Sequence, residues 1–282
     1  MALTLQNVAQ AKIASPPGVY FQIREVIENP DGTFEEISQI ISGDPGLAAR
    51  LLKIVNSPFY GLSTKVETVA HALGIVGSNQ LSELALATSM IAKFDGIPED
   101  LLNIQQFWKH SIACGVAARH IATQKGLGHP ERYYIMGMLH DLGKLVLVKE
   151  IPEEYGKVLT QAREDGEAQL IDLEAKQLRF NHAQVGWILL KEWKLPPTLV
   201  AAINYHHDPL KAKEFVKEAS VVHVADFLAY EMGMKDGCEA GLPKLFPETL
   251  KELSLSIDFI KEAKPIIQSQ TDEIMQLFLS KS

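Results

Sequence analysis

The chain has 282 residues, 46% of them hydrophobic, and a formal net charge of -8. That length and apolar content suit one large domain or two lobes with a real core, while the acidic balance argues against a surface for nucleic acid or another polyanion. The two cysteines, Cys114 and Cys238, stand alone and far apart, which excludes a disulfide framework and reads as reduced thiols in ordinary core or surface positions.

Apolar residues recur at helical spacing almost throughout and strand-like alternation is scarce, so an all-α, two-lobed fold is expected. The start, Met1-Ala2-Leu3-Thr4-Leu5-Gln6, lacks a basic signal-peptide region, and no apolar run has membrane-spanning length. A soluble cytoplasmic protein with no membrane partner is therefore expected. Thr33 and Glu36 form a capping-box pattern ahead of a face made by Ile37, Ile40 and Ile41. Asp44-Pro45 supplies an N-cap with proline at the first helical position, and Leu47, Leu51, Leu52 and Val55 mark the next face. Asn56-Ser57-Pro58 and Tyr60-Gly61 break the chain, with Asn56 and Ser57 suited to satisfying backbone groups and Phe59 and Tyr60 to core packing. A helix from Thr68 to Leu73 is expected to stop at Gly74 and Gly77-Ser78, and Asn79 to Phe94 closes a first lobe, residues 1–96.

Pro98-Glu99-Asp100 marks the passage to a second lobe, residues 97–235, and Lys194-Leu195-Pro196-Pro197 reads as a helix stop followed by a proline-led restart. The remainder, 236–282, carries apolar positions from Leu250 to Phe278 that suit two or three helices packed on the main body.

The run Met136 to Leu147 puts His140, Asp141 and Lys144 inside an otherwise apolar stretch. Imidazole and carboxylate suit a borderline or hard divalent metal, and an ammonium one helical turn on can meet phosphate oxygens beside it. On a continuing helical turn, Lys144 shares a face with both His140 and Asp141. His110 lies upstream; His182, the pair His206-His207, and Asp226 follow downstream. His71, His120 and His129 carry no assignment. His223, three residues before Asp226, reads as a partner of that site or as a satisfied core histidine.

That order of His, His-Asp, His, His-His and Asp resembles the ligand series of the HD-domain phosphohydrolase superfamily, particularly its HD-GYP relatives. The N-terminal part is more specific still. Ser15-Pro16-Pro17, the block Ser42 to Leu52 and Val55-Asn56-Ser57-Pro58-Phe59-Tyr60-Gly61 resemble the HDOD branch, the HD-related output domain of bacterial signalling proteins, and the resemblance runs from Ser15 to about Tyr230. It implies one or two divalent transition metals drawn from Fe, Mn, Zn, Ni and Co. His110, His140, Asp141 and Asp226 would hold the first, His182, His206 and His207 a second, with Asp141 able to bridge. Asp141 and Lys144 would be the catalytic pair, acting on a phosphoester or nucleotide in a signal-transduction protein. The alternative is a non-catalytic module that recruits a signalling protein and keeps its metal for structure or regulation. His206-His207 is followed by Asp208-Pro209-Leu210-Lys211 where the enzymes that open cyclic dinucleotides carry Gly-Tyr-Pro, and Gln105 and Gln106 precede the first histidine where a glutamate sometimes completes their site. Hydrolysis of cyclic di-GMP is therefore not expected.

Overall fold

Helix-forming sequence with well-marked caps produces a helical chain in the computed structural model, which describes residues 4–5, 18–58, 60–94, 96–165 and 169–279. No strand occurs among the described residues. The Ser15-Pro16-Pro17 step and Phe59 lie outside them. The chain divides into two units, one formed by Pro16–Asp95 with Ser269–Ser282, the other by Met1–Ser15 with Gly96–Gln268.

In the smaller unit, helices α1 (Gly18–Glu28), α2 (Phe34–Ser42), α3 (Pro45–Val55), α4 (Val69–Val76) and α5 (Ser78–Lys93) bury Ile23, Ile37, Ile41, Leu47, Leu51, Val55 and Leu81. Their ends follow local chemistry. Thr33 and Glu36 cap α2 reciprocally, and Asp44 Oδ1 accepts from Leu47 N at 2.9 Å to start α3. Asn56 closes the loop after α3: its Nδ2 donates to the carbonyls of Leu52 and Val66, and its Oδ1 accepts from Val66 N at 2.7 Å. Helix α4 does not stop at Gly74 but runs through it to Val76. A glycine inside a helix costs only about 1 kcal/mol. The true stop is Gly77, whose φ of 90° leaves the helical region.

The larger unit is built around α6 (Ile104–Gln124), with α7 (Pro130–Leu139) and α13 (Val216–Glu231) packed along it. Before α13 come α8 (Leu142–Glu150), α9 (Pro152–Glu164), α10 (Leu170–Leu178), α11 (His182–Glu192), α12 (Pro197–Tyr205) and a 3₁₀ stretch, Pro209–Phe215. Helix α14 (Pro247–Glu252) follows it, and α15 (Ile257–Leu279) belongs to this unit as far as Gln268 and to the smaller one from Ser269. Residues Ala219 to Asp226 of α13 and Leu142 to Val148 of α8 are all buried, which marks helices enclosed on every side rather than amphipathic surface helices. Helix α13 packs against α6, α7 and α12, and α8 against α9 and α11. No helix among the described residues is long and apolar enough to cross a membrane.

The run expected to continue as one helix through His140 and Asp141 is two. Helix α7 ends at Leu139, Asp141 sits at φ -99° and ψ 8°, and α8 restarts at Leu142. Just past the break lies a close backbone crossing. A Cβ on Gly143 would lie 2.0 Å from the carbonyl oxygen of His182, so the first turn of α8 touches the first turn of α11 without a side chain between them. Gly143→Ala should therefore destabilise the protein by at least about 1–3 kcal/mol through overpacking, read as a lower urea midpoint; an unchanged midpoint would show that the crossing can open without cost.

Candidate metal centre

Each polar residue singled out between His110 and Asp226 comes from a different helix or a helix end, and the fold brings them to one place. His110 lies within α6 and Asp226 within α13; His140 and Asp141 occupy the α7–α8 break; His182 opens α11; His206 ends α12, with His207 beside it. His110, His140, His182 and His206 are each 0% exposed, and Asp141 and Asp226 are 1% and 4% exposed. His207 is half-buried.

The histidine orientations are fixed by what their Nδ1 atoms meet. His140 and His206 turn back to the carbonyls three residues earlier, Gly137 and Ile203, each at 2.6 Å. Those are carbonyls left unsatisfied at helix C-termini. His110 Nδ1 donates to the Met234 carbonyl at 2.8 Å. His182 Nδ1 lies 2.7 Å from Glu174 Oε2, which also accepts from His182 N at 2.8 Å. A carbonyl oxygen only accepts, so the Nδ1 atoms of His110, His140 and His206 carry the hydrogen, and in the neutral ring their Nε2 atoms present lone pairs. Burial lowers the His110 and His182 values, but Cys114 and Asp226 beside the one and Glu174 beside the other raise both above the ordinary histidine value, His182 to about 9, so these two rings release a proton when a metal binds.

The Nε2 atoms converge on carboxylates. Asp141 Oδ2 lies 3.2 Å from His140 Nε2 and 3.8 Å from His110 Nε2, while its Oδ1 faces His182 Nε2 at 3.2 Å and His206 Nε2 at 3.7 Å. Asp226 Oδ1 lies 3.2 Å from His110 Nε2 and 3.8 Å from His140 Nε2. Four of these atoms, His140 Nε2, Asp141 Oδ1, His206 Nε2 and Asp226 Oδ1, are buried without a hydrogen bond. Buried polar groups are costly when unpaired, and four facing one another mark a place for a group that all of them can bind. A divalent transition metal has that property. The ligand atoms fall into two sets, each within 4.8 Å: His110, Cys114, His140 and Asp226, then Asp141, His182, His206 and His207.

Charges behind the site are also compensated. Lys144, 2% exposed, places Nζ 2.7 Å from Asp141 Oδ2 and 2.7 Å from Asp236 Oδ2. Burial alone would lower its pKa, yet the two carboxylates raise it well above the ordinary lysine value. Burial pushes the Asp141 carboxyl upward, and His140 and Lys144 more than reverse this, holding it well below the usual carboxylate range. The His207 imidazole is held well below the ordinary histidine value by desolvation, then by His206 and His182, so it is neutral at physiological pH. Asp236 Oδ1 accepts from Tyr230 Oη and from Cys238 N at 2.9 Å, and the Tyr230 ring packs edge-on against His110 with centroids 5.0 Å apart.

Sequence reasoning missed Asp236, Glu174 and the position of Cys114. Glu174 does carry a signal, since it sits four residues from both Leu170 and Leu178 on the buried stripe of α10. Its other oxygen accepts from Tyr155 Oη at 2.7 Å. His223 is satisfied on both nitrogens, at 2.7 Å from the His206 carbonyl and 3.2 Å from Phe246 N, so it braces the backbone of His206. One side of the centre opens. His207 lines a cleft of about 540 Å³ shared with Asn181, Gln184, Tyr205, Lys211 and Lys244.

Residues 13–209 match the HDOD domain family. A protein of Treponema pallidum (strain Nichols), named only as uncharacterized, is 28% identical over 202 residues, covering 71% of this chain and 39% of the relative. The chain thus spans about two fifths of that relative's length. Among solved structures, an HDOD domain protein of unknown function from Geobacter sulfurreducens is 22% identical, with a TM-score of 0.77 over 97% of this chain and 98% of that one. A Shewanella amazonensis protein provisionally named a phosphohydrolase is 21% identical, with a TM-score of 0.76 over 97% of both chains. At such identities the likeness is one of fold.

The Lys144–Asp236 pair generates a stability prediction. Burial pushes the Asp236 carboxyl up, but Lys144 outweighs it and holds the group below the ordinary carboxylate range. A depressed folded-state value contributes stability above the unfolded value, about pH 4, that is lost as pH falls. Asp236→Asn should cost about 3–5 kcal/mol at pH 7 in urea unfolding of chelator-treated protein, and the gap from wild type should narrow on acidification below about pH 4. A gap that stayed constant or widened in acid would contradict the charge assignment.

Proposed function

The chain belongs to the HDOD family, and from that premise we propose that it is a signalling protein whose larger unit binds divalent transition metal and acts on a phosphoester. The observation that carries this reading is the set of buried atoms without hydrogen bonds on His140, Asp141, His206 and Asp226, all facing inward. His110, His140 and Asp226 would hold one ion, with Asp141 Oδ2 approaching it. Asp141 Oδ1, His182, His206 and His207 would hold a second. Such ions supply Lewis acidity toward phosphate oxygens and acidity to water.

The chain's own groups do the rest. Glu174 and the Gly137, Ile203 and Met234 carbonyls keep the imidazoles in the ligating tautomer. Lys144 is committed to Asp141 and Asp236 on the buried side, so of its two roles, orienting the carboxylate or meeting phosphate, its contacts favour the first. Lys211 and Lys244 instead line the cleft beside His207 together with Asp172 and Asp208; Lys211 pairs with Asp208 at 2.7 Å, so Lys244 is the cation better placed to meet an anionic substrate entering there. Neutral amides and tyrosine on the same wall suit recognition of a phosphoester or nucleotide. The segment after His207 lacks Gly-Tyr-Pro, and cyclic di-GMP is not the substrate expected.

A second reading rests on a specific observation too. His110, His140 and Asp226 have almost no exposure, as in closed structural sites, which favours a metal that stabilises an output module and leaves recruitment of a signalling protein to the helical surface.

Protein purified without chelator should contain at least one transition metal per chain, and His140→Ala with Asp141→Ala should contain none. Equal metal in the two would refute the ligand assignment. Turnover across a panel of phosphomonoesters and nucleotides, abolished in the double variant, separates the hydrolase from the output module; metal without turnover supports the module. Glu174→Gln should weaken metal affinity about 10–100-fold while leaving the fold intact by circular dichroism.

A further inference from the structure

Cys114 has the sequence position of a core residue and the surroundings of a ligand. It lies four residues after His110 on α6, so the two side chains share one helical face. Its sulfur is 3.4 Å from His110 Nε2, the nitrogen that presents a lone pair in the neutral ring, and farther, 3.9 Å, from the Nδ1 already committed to Met234. Cys114, His110 and His140 are each 0% exposed. His140 Nε2 and Asp226 Oδ1, both buried without a hydrogen bond, complete a group whose ligand atoms all lie within 4.8 Å of one another.

We propose that Cys114 Sγ is a protein ligand of the metal held by His110, His140 and Asp226. The inference rests on the metal reading above and goes beyond it, because it adds a sulfur to a set otherwise made of imidazole and carboxylate. Tetrahedral coordination with a metal–sulfur bond near 2.3 Å and a metal–nitrogen bond near 2.0 Å separates sulfur from nitrogen by about 3.5 Å and nitrogen from oxygen by about 3.3 Å. The Cys114–His110 and His110–Asp226 separations, 3.4 and 3.2 Å, are of that size; with Nδ1 at 3.9 Å the sulfur lies beside the ring and off the Nε2 lone-pair axis, so ligation requires the Cys114 side chain to turn toward His140 and Asp226. The simpler role for Cys114 is to fill the small apolar cluster with Ala113, Ala229 and Met234. That role does not require a sulfur in reach of two imidazoles and a carboxylate.

Binding breaks the S–H bond and forms the sulfur–metal bond, releasing the proton to solvent. The consequence is a division of labour. Two imidazoles, a carboxylate and a thiolate already meet the four ligands of a closed structural site and select zinc, cobalt or ferrous iron over magnesium or calcium. The set at Asp141, His182, His206 and His207 then remains the one beside the open cleft.

The test is titration of the chelator-treated, full chain with cobalt(II) without oxygen. Wild type should gain visible ligand-field bands together with an intense near-ultraviolet thiolate-to-cobalt band. Cys114→Ser should keep the visible bands, lose the near-ultraviolet band and bind zinc at least about tenfold more weakly. Visible bands without the near-ultraviolet band in wild type, or a near-ultraviolet band retained by Cys114→Ser, would overturn the proposal and leave the metal reading standing. No cobalt binding by wild type would overturn both. Should Cys114→Ser fail to fold, zinc-edge X-ray absorption of the wild type decides: a sulfur neighbour near 2.3 Å is expected, and a shell of nitrogen and oxygen alone would refute it.

Discussion

A carboxylate removed from water must find compensating charge or hydrogen bonds, and Asp141 is the point at which this fold meets that requirement. Its Oδ2 is fixed by the Lys144 ammonium at 2.7 Å, and its two oxygens are ringed by four imidazole nitrogens. The surrounding architecture follows from that demand. Lys144 must lie near Asp141, so α8 begins at once after it; Lys144 itself needs a second partner, which brings the turn carrying Asp236 beneath the site. The imidazoles must present one particular nitrogen, so helix ends and Glu174 are spent on the other.

Much of this was legible in the sequence and some was not, for identifiable reasons. Helix class and caps come from local spacing, and Thr33, Asp44 and Asn56 do what their positions suggest because capping involves neighbours in the chain. The histidines and aspartates stood out as polar residues within apolar stretches. Glu174 stood on an apolar stripe in the same way but lay outside the recognised order. Asp236 was hidden because a carboxylate in Lys235-Asp236-Gly237 reads as an exposed turn, and only the distant Lys144 explains its burial. The helix break at Asp141 was likewise invisible, as was the crossing just past it, because the backbone of His182 that meets Gly143 is distant in the chain.

The two sides of the centre differ physically. Around His110 and His140 the packing is tight, with Tyr230 against the His110 ring. Around His207 the wall of the cleft carries amides, a tyrosine, two aspartates and two lysines. Electrostatic interactions are stronger on the enclosed side, where the effective dielectric constant is lower. A single carboxylate, Asp141, touches both environments, so any change in its position is felt by both.

The dispersal of the polar groups from His110 to Asp226 also bears on kinetics. No short segment holds more than two of them, so the centre exists only after α6, α7, α11, α12 and α13 have docked, and the corresponding loops must close before any ion finds its full set of ligands. A cation that needs the full set would be absent from any folding transition state in which those helices have not yet docked. In that case it would act on the unfolding limb alone, lengthening the lifetime of the native chain while leaving the speed of its formation unchanged.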